Sequence, residues 1–318
     1  MNAQSQIIEK VPPKKNFEKK PKISGIQKRQ IKTFLIALMF LAPSLIIFIT
    51  FVFIPLIRSF ILSSQLTDPI GRAVAFYGLE NYKKLFATPI FLNSLSRSLL
   101  FVVYTVPSTL LISLLLALLG NLRLKQIAIF RMIFSLTIAV SAATASLIFM
   151  ALFHPALGNI NYILSLIGIK PVPWLISDKT ALIGIAICAV WLQIGLNTVI
   201  MLAAMHGISE ELYESAMIDG ANAWNKFKSI TLPMISPTLF FLTVIDVIAA
   251  LQTFTQVHVM TSGGPLDSTN VIVYSIYREF YFNGKYGFAA AQAIMLFLIM
   301  LTLTIIQFTV IEKRVNYE

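Results

Sequence analysis

Residues 180–209 read TALIGIAICAVWLQIGLNTVIMLAAMHGIS, thirty positions without a single Asp, Glu, Lys or Arg. A helix of about 20 apolar residues is long enough to cross the hydrocarbon layer of a membrane. Uncharged runs of this kind also occupy residues 33–57, 98–122 and 132–169. Only 12% of the chain is charged, whereas a soluble domain carries about 25%. The sequence therefore predicts an all-α membrane protein.

Six transmembrane helices account for the apolar segments. We expect them at residues 33–60, 96–120, 130–153, 180–205, 238–260 and 286–311. The polar tail before them, residues 1–32, holds nine Lys or Arg residues. Basic residues beside the first span keep that end of the chain in the cytoplasm, and the run that follows is too long for a cleaved signal peptide. The expected membrane domain is thus 33–311, with both termini cytoplasmic and a short tail at 312–318.

Several kinds of chemistry are excluded or disfavoured. Cys188 is the only cysteine, so the chain can form neither an internal disulfide nor a cysteine-based metal cluster. The three histidines, His154, His206 and His258, are far apart and show no ligand spacing. The chain contains no GxxxxGK[ST] sequence, which would cradle the phosphates of a nucleotide. If transport by this chain uses ATP, another chain must bind it. For the basic tail, contact with anionic membrane lipid is expected rather than nucleic acid.

The polar segment after the fourth span has the signals of a helical hairpin. Ser209 is a favourable N-cap, and Glu210 and Glu211 lie in the first turn, where negative charge stabilises a helix. The first helix is predicted to end near Ile218, with Gly220 in a left-handed conformation after it. A second helix is expected from Asn222 through Ile230, with Trp224 and Phe227 on one apolar face, and Pro233 and Pro237 precede the next span. Any membrane protein can have such a loop, so this pattern alone assigns no function.

The segment Glu214-Ser-Ala-Met-Ile-Asp-Gly-Ala221, followed by Ile230, Leu232-Pro233 and Pro237, resembles the EAA loop of ABC importer permeases. Ser215 departs from the usual alanine, but it is also small. The resemblance implies the type I ABC importer permease fold. It also implies that residues 206–237, hereafter the coupling loop, insert a short helix into a groove of an ATPase subunit. The coupling residues implied in this way are Glu214, Ser215, Ala216, Asp219, Gly220 and Ala221.

Further segments are similar to the carbohydrate and sn-glycerol-3-phosphate branch of that family, namely Tyr77–Tyr82, Thr261–Pro265, Ile276–Glu279 and Tyr286–Gln292. The resemblance implies a multi-pass subunit in a bacterial or archaeal cytoplasmic membrane, without enzymatic activity or a cofactor of its own. The implied partners are a second, homologous permease, an ABC ATPase dimer that binds ATP and Mg, and an extracellular or periplasmic substrate-binding protein.

Polar side chains in the fifth predicted span indicate a substrate path. Asp246 lies inside this span, where a charge costs roughly 2.5–3.5 kcal/mol and normally faces a cavity or a partner. In the predicted helix, Asp246 and Thr253 share one face and are expected to line one cavity, and Gln256 extends the stripe. A hydrogen bond from Asp246 to a partner subunit remains an equal alternative.

The fourth predicted span adds Trp191, Gln193 and Asn197. An aromatic face stacks on a sugar ring and amides bind its hydroxyls, although a lone Trp in a span is more often a packing residue. By the resemblance, positions 191, 192, 196, 246, 250 and 253 match positions that contact sugar in the maltose-type permease. Most of the residues there differ, so the location of the path is implied and the substrate is not.

A neutral sugar or oligosaccharide suits these residues best, because no basic residue lies in the core of any predicted span and Asp246 would repel an anion. The alternative is sn-glycerol-3-phosphate or a glycerophosphodiester, carried by the same kind of machine. A self-sufficient secondary transporter or channel is the rival of another class, but it commonly has internal repeats, and none is evident. An intramembrane enzyme would need a paired acid or a nucleophile with its base, and Asp246 stands alone.

Overall fold

The computed structural model of the chain describes residues 25–122 and 124–312, so most of the basic tail and residues 313–318 lie outside the described residues. The α-helices, in chain order, are α1 (Gly25–Phe48), α2 (Ile54–Ser63), α3 (Glu80–Ala87), α4 (Pro89–Gly120), α5 (Ile127–Ser135), α6 (Ala142–Leu152), α7 (Asn159–Leu166), α8 (Ala181–His206), α9 (Glu210–Ile218), α10 (Ala223–Lys226), α11 (Leu232–Met234), α12 (Ser236–Leu251), α13 (Thr255–Met260), α14 (Ile272–Tyr277) and α15 (Tyr286–Ile306). Further helical turns are the π-helical segments Ile49–Phe53, Phe227–Thr231, Arg278–Phe282 and Gln307–Ile311 and the 3₁₀ segment Leu136–Ala139.

Within this described part, four helices are long and apolar enough to cross a membrane: Lys32–Ser63, Pro89–Gly120, Ala181–His206 and Tyr286–Val310. Two bent helix pairs, Ile127–Ala139 with Ala142–Leu152 and Ala223–Met234 with Ser236–Leu251, bring the number to six if each counts as one span. The predicted all-α membrane fold is confirmed, with six apolar segments that overlap the predicted spans, although the fifth ends at Leu251 and not at residue 260.

The third span is not the single helix that the apolar run 130–153 predicted. Its two halves meet at an angle of 105°. Ser141 has an extended backbone and its hydroxyl accepts a hydrogen bond of 3.2 Å from Thr144 N, so it caps a new helix. An N-cap inside an apolar run starts a new helix there, and hydropathy alone does not detect it.

The chain divides into two compact units, and the first ends at Ile57. In it, α1 continues through the π-helical turn Ile49–Phe53 into α2. This turn directly precedes Pro55, which has no N–H to donate to the preceding turn. The π-helical turn is therefore where the helix accommodates the proline without breaking.

The second unit, from Arg58 onwards, is built around α4. This helix packs against α8, α12, α14 and α3. Its outer turns contribute Phe91 to one apolar cluster, its middle contributes Phe101 to a second, and Ala117 belongs to a third beside the coupling loop. All three side chains are fully buried. The helix α4 therefore contributes a buried residue to each of the three apolar clusters.

Residues 61–95 contain a feature that the sequence did not predict. The helix α3 lies in this segment, and before it two short antiparallel strands, β1 (Gln65–Thr67) and β2 (Ala73–Phe76), form a hairpin. The Asn81 side chain donates hydrogen bonds to Ser63 O at 2.8 Å and to Gln65 O at 3.0 Å, which fixes the hairpin to α3. Strands this short give almost no alternation in the sequence.

The segment 154–179 contains α7 and three prolines, Pro155, Pro171 and Pro173. Asn161 in α7 accepts hydrogen bonds from Val172 N and from Trp174 Nε1, both at 3.1 Å, and it donates to Val172 O at 3.0 Å. One buried amide side chain therefore holds the returning chain against α7.

Candidate functional site

A cavity of about 260 Å³ lies in the middle of the second unit, between α4, α8 and α12. Its polar lining residues are Thr105, Thr109, Gln193, Asp246, Thr253 and Gln256. The structure therefore brings together four of the six residues predicted for a substrate path. The remaining wall is apolar and includes the Phe101 ring and Leu192.

Asp246 lies in the middle of α12 and is only 5% exposed. Asn197 of α8 donates a hydrogen bond of 2.6 Å to Asp246 Oδ2. Asp246 Oδ1 has no hydrogen-bond partner within the described chain. Oδ2 is thus hydrogen-bonded, whereas Oδ1 is a buried acceptor without a partner, on a residue that lines the cavity. Asn197 itself is buried and acts through Asp246, since it is not among the residues that line the cavity.

The fifth span is broken beside the cavity, which corrects the prediction of one helix from 238 to 260. The helix α12 ends at Leu251, and α13 begins only at Thr255. Thr253 therefore does not continue the helical face of Asp246, yet the break turns it into the cavity wall together with Gln256. The Thr253 hydroxyl lies 3.5 Å from Gln256 Oε1. These two polar residues reach the cavity because of the irregular backbone and not because of helical periodicity.

Trp191 is placed differently from the other predicted path residues. Its ring packs edge-on against Phe149 with 5.6 Å between the ring centroids, and it lies outside the set that lines the cavity. The aromatic ring that does line the cavity is Phe101 of α4. The structure therefore assigns Trp191 to packing between α8 and α6 in this conformation.

The coupling loop contains the predicted caps and turn. The Ser209 hydroxyl accepts a hydrogen bond from Glu211 N at 3.3 Å and begins α9. Gly220 has φ +76°, the left-handed conformation that favours glycine, and Ala221 N donates to Ala216 O at 2.8 Å. The Asn222 side chain caps the next helix through Asn225 N at 2.8 Å. The predicted hairpin is confirmed, except that its second helix continues past Ile230 to Met234 through a π-helical turn.

The hairpin is fixed to the spans on one side. The Tyr213 hydroxyl lies 2.9 Å from Thr231 Oγ1, which joins α9 to the π-helical turn below the fifth span. Tyr213 also packs on a cluster that contains Met205 and Ile208 from the end of α8 and Leu242 of α12. A displacement of α9 must therefore move the ends of two spans.

The other side of the hairpin carries exposed apolar side chains. Ile218 is 88% exposed and Trp224 is 66% exposed, with the Trp224 ring 5.6 Å from that of Phe227. Ser215, Asp219 and Gly220 are exposed on the same loop, while Ala216 and Ala221 are half-buried. Glu214 is exposed too, but it lines a groove of about 710 Å³ between α9 and residues 121–131. Exposed apolar groups next to polar ones are typical of a protein interaction surface.

A profile of the family described as binding-protein-dependent transport system inner membrane component matches residues 85–317. This chain belongs to that family.

Curated relatives of the permease match most of its length. The sn-glycerol-3-phosphate transport system permease protein UgpA of Pectobacterium atrosepticum is 36% identical over 279 residues, 87% of this chain and 94% of the relative. The UgpA protein of Agrobacterium fabrum is 34% identical over 277 residues, with the same coverage. Relatives of this similarity and coverage make the chain a permease subunit of an ABC importer.

Solved structures agree on the fold of the permease. A chain of the bacterial alginate ABC transporter, crystallised with an alginate pentasaccharide-bound periplasmic protein, superimposes with a TM-score of 0.78 at 23% identity, covering 91% of this chain and 98% of that one. A second crystal structure of a bacterial ABC transporter for alginate import gives 0.75 at 24% identity, covering 90% and 99%. The type I permease fold is thereby confirmed.

The contribution of α4 to the cavity of the permease was not predicted from the sequence. Thr105 and Thr109 line it, and they belong to a row of buried hydroxyl residues at helical spacing: Ser94, Ser98, Thr105, Thr109 and Ser113. Other members of this row have structural roles, since Ser98 Oγ accepts a hydrogen bond of 2.8 Å from Ile272 N and Ser113 Oγ donates one of 3.3 Å to Ile194 O. Its spacings of four and seven residues place the row on one helix face, which is the signal that could have identified these residues.

No group of three or more His, Cys, Asp or Glu side chains able to hold a metal ion occurs among the described residues of the permease. The single carboxylate at the cavity is therefore best considered as a hydrogen-bond acceptor.

Proposed function

We propose that the cavity beside Asp246 is half of a translocation path for a neutral sugar or oligosaccharide. The observation that carries this proposal is the chemistry of the wall. Threonine hydroxyls and glutamine amides both donate and accept hydrogen bonds, Asp246 Oδ1 accepts, and Phe101 offers a ring face for stacking. Among the described residues that line the cavity, none is basic.

The size of the cavity supports a shared path. Small-molecule pockets usually measure about 300–1,000 Å³, and the cavity has about 260 Å³. A second, homologous permease facing the same cavity would enlarge it to the size that an oligosaccharide requires. The partner would also be the source of any positive charge that this chain does not supply.

The alternative substrate is sn-glycerol-3-phosphate or a glycerophosphodiester, which the names of the curated relatives favour. A phosphate ester is normally bound by Arg, Lys or backbone N–H groups, and a carboxylate at the cavity opposes it. The test is ATP-dependent uptake into vesicles by the complete transporter with its binding protein. Accumulation of a labelled phosphate ester in preference to neutral oligosaccharides would contradict the sugar proposal.

For the coupling loop, we propose that α9 and the turn at Gly220 dock into a groove of a separate ABC ATPase dimer, which binds ATP and Mg. The exposed Ile218 and Trp224 support a protein contact, and the link from Tyr213 to Thr231 supports transmission of force to the spans. The proposed coupling residues remain Glu214, Ser215, Ala216, Asp219, Gly220 and Ala221. The chain itself performs no covalent chemistry.

The proposed assembly contains this permease, its homologous partner, the ATPase dimer and an extracellular or periplasmic binding protein, in a bacterial or archaeal cytoplasmic membrane. Both termini and the coupling loop lie in the cytoplasm. The mechanism is alternating access, in which closure of the ATPase dimer on ATP moves α9 and switches the spans. ATP drives the switch because the two states of the transporter bind the nucleotide with different affinity.

Co-purification tests the coupling proposal. An affinity-tagged wild-type permease should retain the ATPase, whereas Glu214→Lys should lose it while remaining in the membrane with the partner permease. Retention of both the ATPase and full transport by this variant would contradict the docking role. Substrate flux through the permease in vesicles that lack the ATPase would instead support a channel or secondary transporter.

A further inference from the structure

A second polar pocket, of about 380 Å³, lies at the end of the spans away from the coupling loop. Its residues include Gln65, Thr67, Asn81, Lys84, Glu279 and Lys285, and none of these lines the cavity beside Asp246. Thr88, directly before α4, also lines it, whereas Asn121 at the other end of α4 lines the groove beside α9. The pocket and the groove therefore lie at opposite ends of α4, toward opposite surfaces of the membrane.

The main feature of this pocket is a buried carboxylate. Glu279 is 3% exposed and belongs to the pocket wall. Lys285, which is largely exposed, forms an ion pair with this carboxylate, with Lys285 Nζ at 3.3 Å from Glu279 Oε2. This contact does not have the geometry of a hydrogen bond. Glu279 Oε2 therefore has no hydrogen-bond partner among the described residues. A buried acceptor of this kind is costly unless something donates to it.

The pocket is rigidly built. The backbone N–H of Gly287 donates to Thr67 Oγ1 at 3.2 Å, so the hairpin sits directly on the start of α15. A Cβ atom at Gly287 would come within 2.3 Å of Gln65 O, and only glycine permits this approach. Asn81 holds the other side of the hairpin through the two bonds to Ser63 O and Gln65 O. The walls are therefore fixed before any ligand arrives.

The charges around the pocket have a zwitterionic pattern. Glu279 supplies one negative charge at its base, and Lys84 and Lys285 supply two positive charges. Lys84 Nζ lies 4.8 Å from the centre of the Tyr77 ring, which holds this ammonium group near the wall. An ammonium group facing Glu279 and a phosphate facing the lysines would match this pattern.

The position of the pocket indicates where such a ligand comes from. Three apolar helices end or begin around it: α2 ends at Ser63, α4 begins at Pro89 and α15 begins at Tyr286. Such ends lie at the level of the lipid headgroups. We propose that this pocket binds the phosphate–amine headgroup of a phosphatidylethanolamine-type lipid, with the primary ammonium donating to Glu279 and the phosphate paired with Lys84 and Lys285.

Other headgroups fit less well. The quaternary ammonium of a choline lipid has no N–H to donate, so Glu279 Oε2 would remain without a hydrogen bond. A glycerol headgroup has no positive charge, so Glu279 would remain uncompensated apart from Lys285. A primary ammonium satisfies both requirements.

The test is lipid retention by the purified complete transporter, measured by native mass spectrometry with phosphatidylethanolamine, phosphatidylcholine and phosphatidylglycerol of identical acyl chains. The ethanolamine lipid should be retained about tenfold more tightly than the other two, the effect of one charge-assisted hydrogen bond. Glu279→Gln should abolish this preference. Lys84→Gln removes a partner of the phosphate that all three lipids share, so it should weaken retention of all three alike. It also leaves the buried carboxylate in place if Glu279→Gln does not assemble.

Lys83→Gln is the matched control on the same helix. Lys83 is exposed, does not line the pocket and is hydrogen-bonded to Glu80, which raises the pKa of Lys83. This variant should retain lipid as the wild type does. Equal retention of the three lipids by the wild type, an unchanged preference in Glu279→Gln, or unchanged retention by Lys84→Gln would overturn the proposal. Glycerophosphoethanolamine has the same headgroup without acyl chains. If it displaces the lipid at equimolar concentration, the ligand of the pocket is not a membrane lipid.

Discussion

Asn197 and Asp246, forty-nine positions apart in the sequence, are joined across the interface of α8 and α12 by a hydrogen bond of 2.6 Å. This bond orients the carboxylate at the cavity, because it occupies Oδ2 and leaves Oδ1 free. The pair therefore connects a structural contact between two spans with the polar surface that meets the proposed substrate.

Loss of the donor alone should destabilise the permease. In Asn197→Leu the side-chain volume is similar, but the buried carboxylate loses its partner, which costs about 1–3 kcal/mol. We expect a lower unfolding temperature of the purified transporter. The double variant Asn197→Leu with Asp246→Leu removes both polar partners and should recover much of the stability. A single variant as stable as the wild type would show that the bond does not contribute.

Loss of the charge alone should change transport without unfolding the protein. Asp246→Asn retains a carbonyl oxygen that can accept from Asn197, so assembly should be normal. A neutral acceptor binds a hydroxyl more weakly than a carboxylate does, so we expect substrate uptake to lose affinity by about tenfold. The measurement is the concentration dependence of uptake in vesicles. Unchanged uptake and unchanged assembly would remove Asp246 from the path.

The hydroxyl groups of α4 should contribute in the same way. Thr105→Val and Thr109→Val keep the shape of the side chain and remove the hydroxyl from the cavity wall. Each should weaken substrate binding by about two- to tenfold, as expected for a neutral hydrogen bond. Ser94→Ala is the control, because Ser94 is buried on the same helix face but does not line the cavity. An equal effect of all three would indicate a change in α4 itself.

At Gly220 the backbone conformation can be separated from the contact that it makes. Gly220→Val introduces a β-branched residue at φ +76°, which is strained by about 1–2 kcal/mol, whereas Asn tolerates this conformation. We expect Gly220→Val to lose transport-coupled ATP hydrolysis and Gly220→Asn to retain most of it. No atom lies within 4 Å of a Cβ built at Gly220, so the strain has no contribution from crowding within the described chain. If both variants fail equally, the ATPase must contact position 220 directly.

Ile218 provides a test of docking that leaves the fold unchanged. It is 88% exposed, so Ile218→Glu should not alter the unfolding temperature, but it should reduce ATPase retention on a tagged permease. Leu266→Glu is the matched control, because Leu266 is 91% exposed but lies in the segment between α13 and α14, outside the coupling loop. Retention of the ATPase by Ile218→Glu would contradict the proposed interface.

The spans and the hairpin of the coupling loop could be predicted because their signals are local. Ser209, Gly220 and Asn222 act within one or two turns of their own positions, and apolar runs report membrane burial directly. The break after Leu251 has no such local signal. Neither glycine nor proline occurs between Leu251 and Thr255, although the break there brings Thr253 and Gln256 to the cavity wall.

The partner of Asp246 also could not be identified from the sequence. Asn197 was selected as a polar residue of the fourth span, but its bond to Asp246 depends on how α8 crosses α12. The Trp191 side chain shows the reverse case. Its spacing is compatible with the path, yet the bend of the third span brings Phe149 against it and determines its surroundings.

The end of α12 at Leu251 has an electrostatic consequence. The C-terminus of a helix carries about half a negative elementary charge, because the carbonyl dipoles of the backbone add along its axis. The negative end of the α12 dipole lies beside Thr253 in the cavity wall, little more than one helical turn beyond Asp246. The end of α12 therefore has the same sign of charge as the Asp246 carboxylate. Removal of the Asp246 charge alone would not turn this half of the path into an anion site.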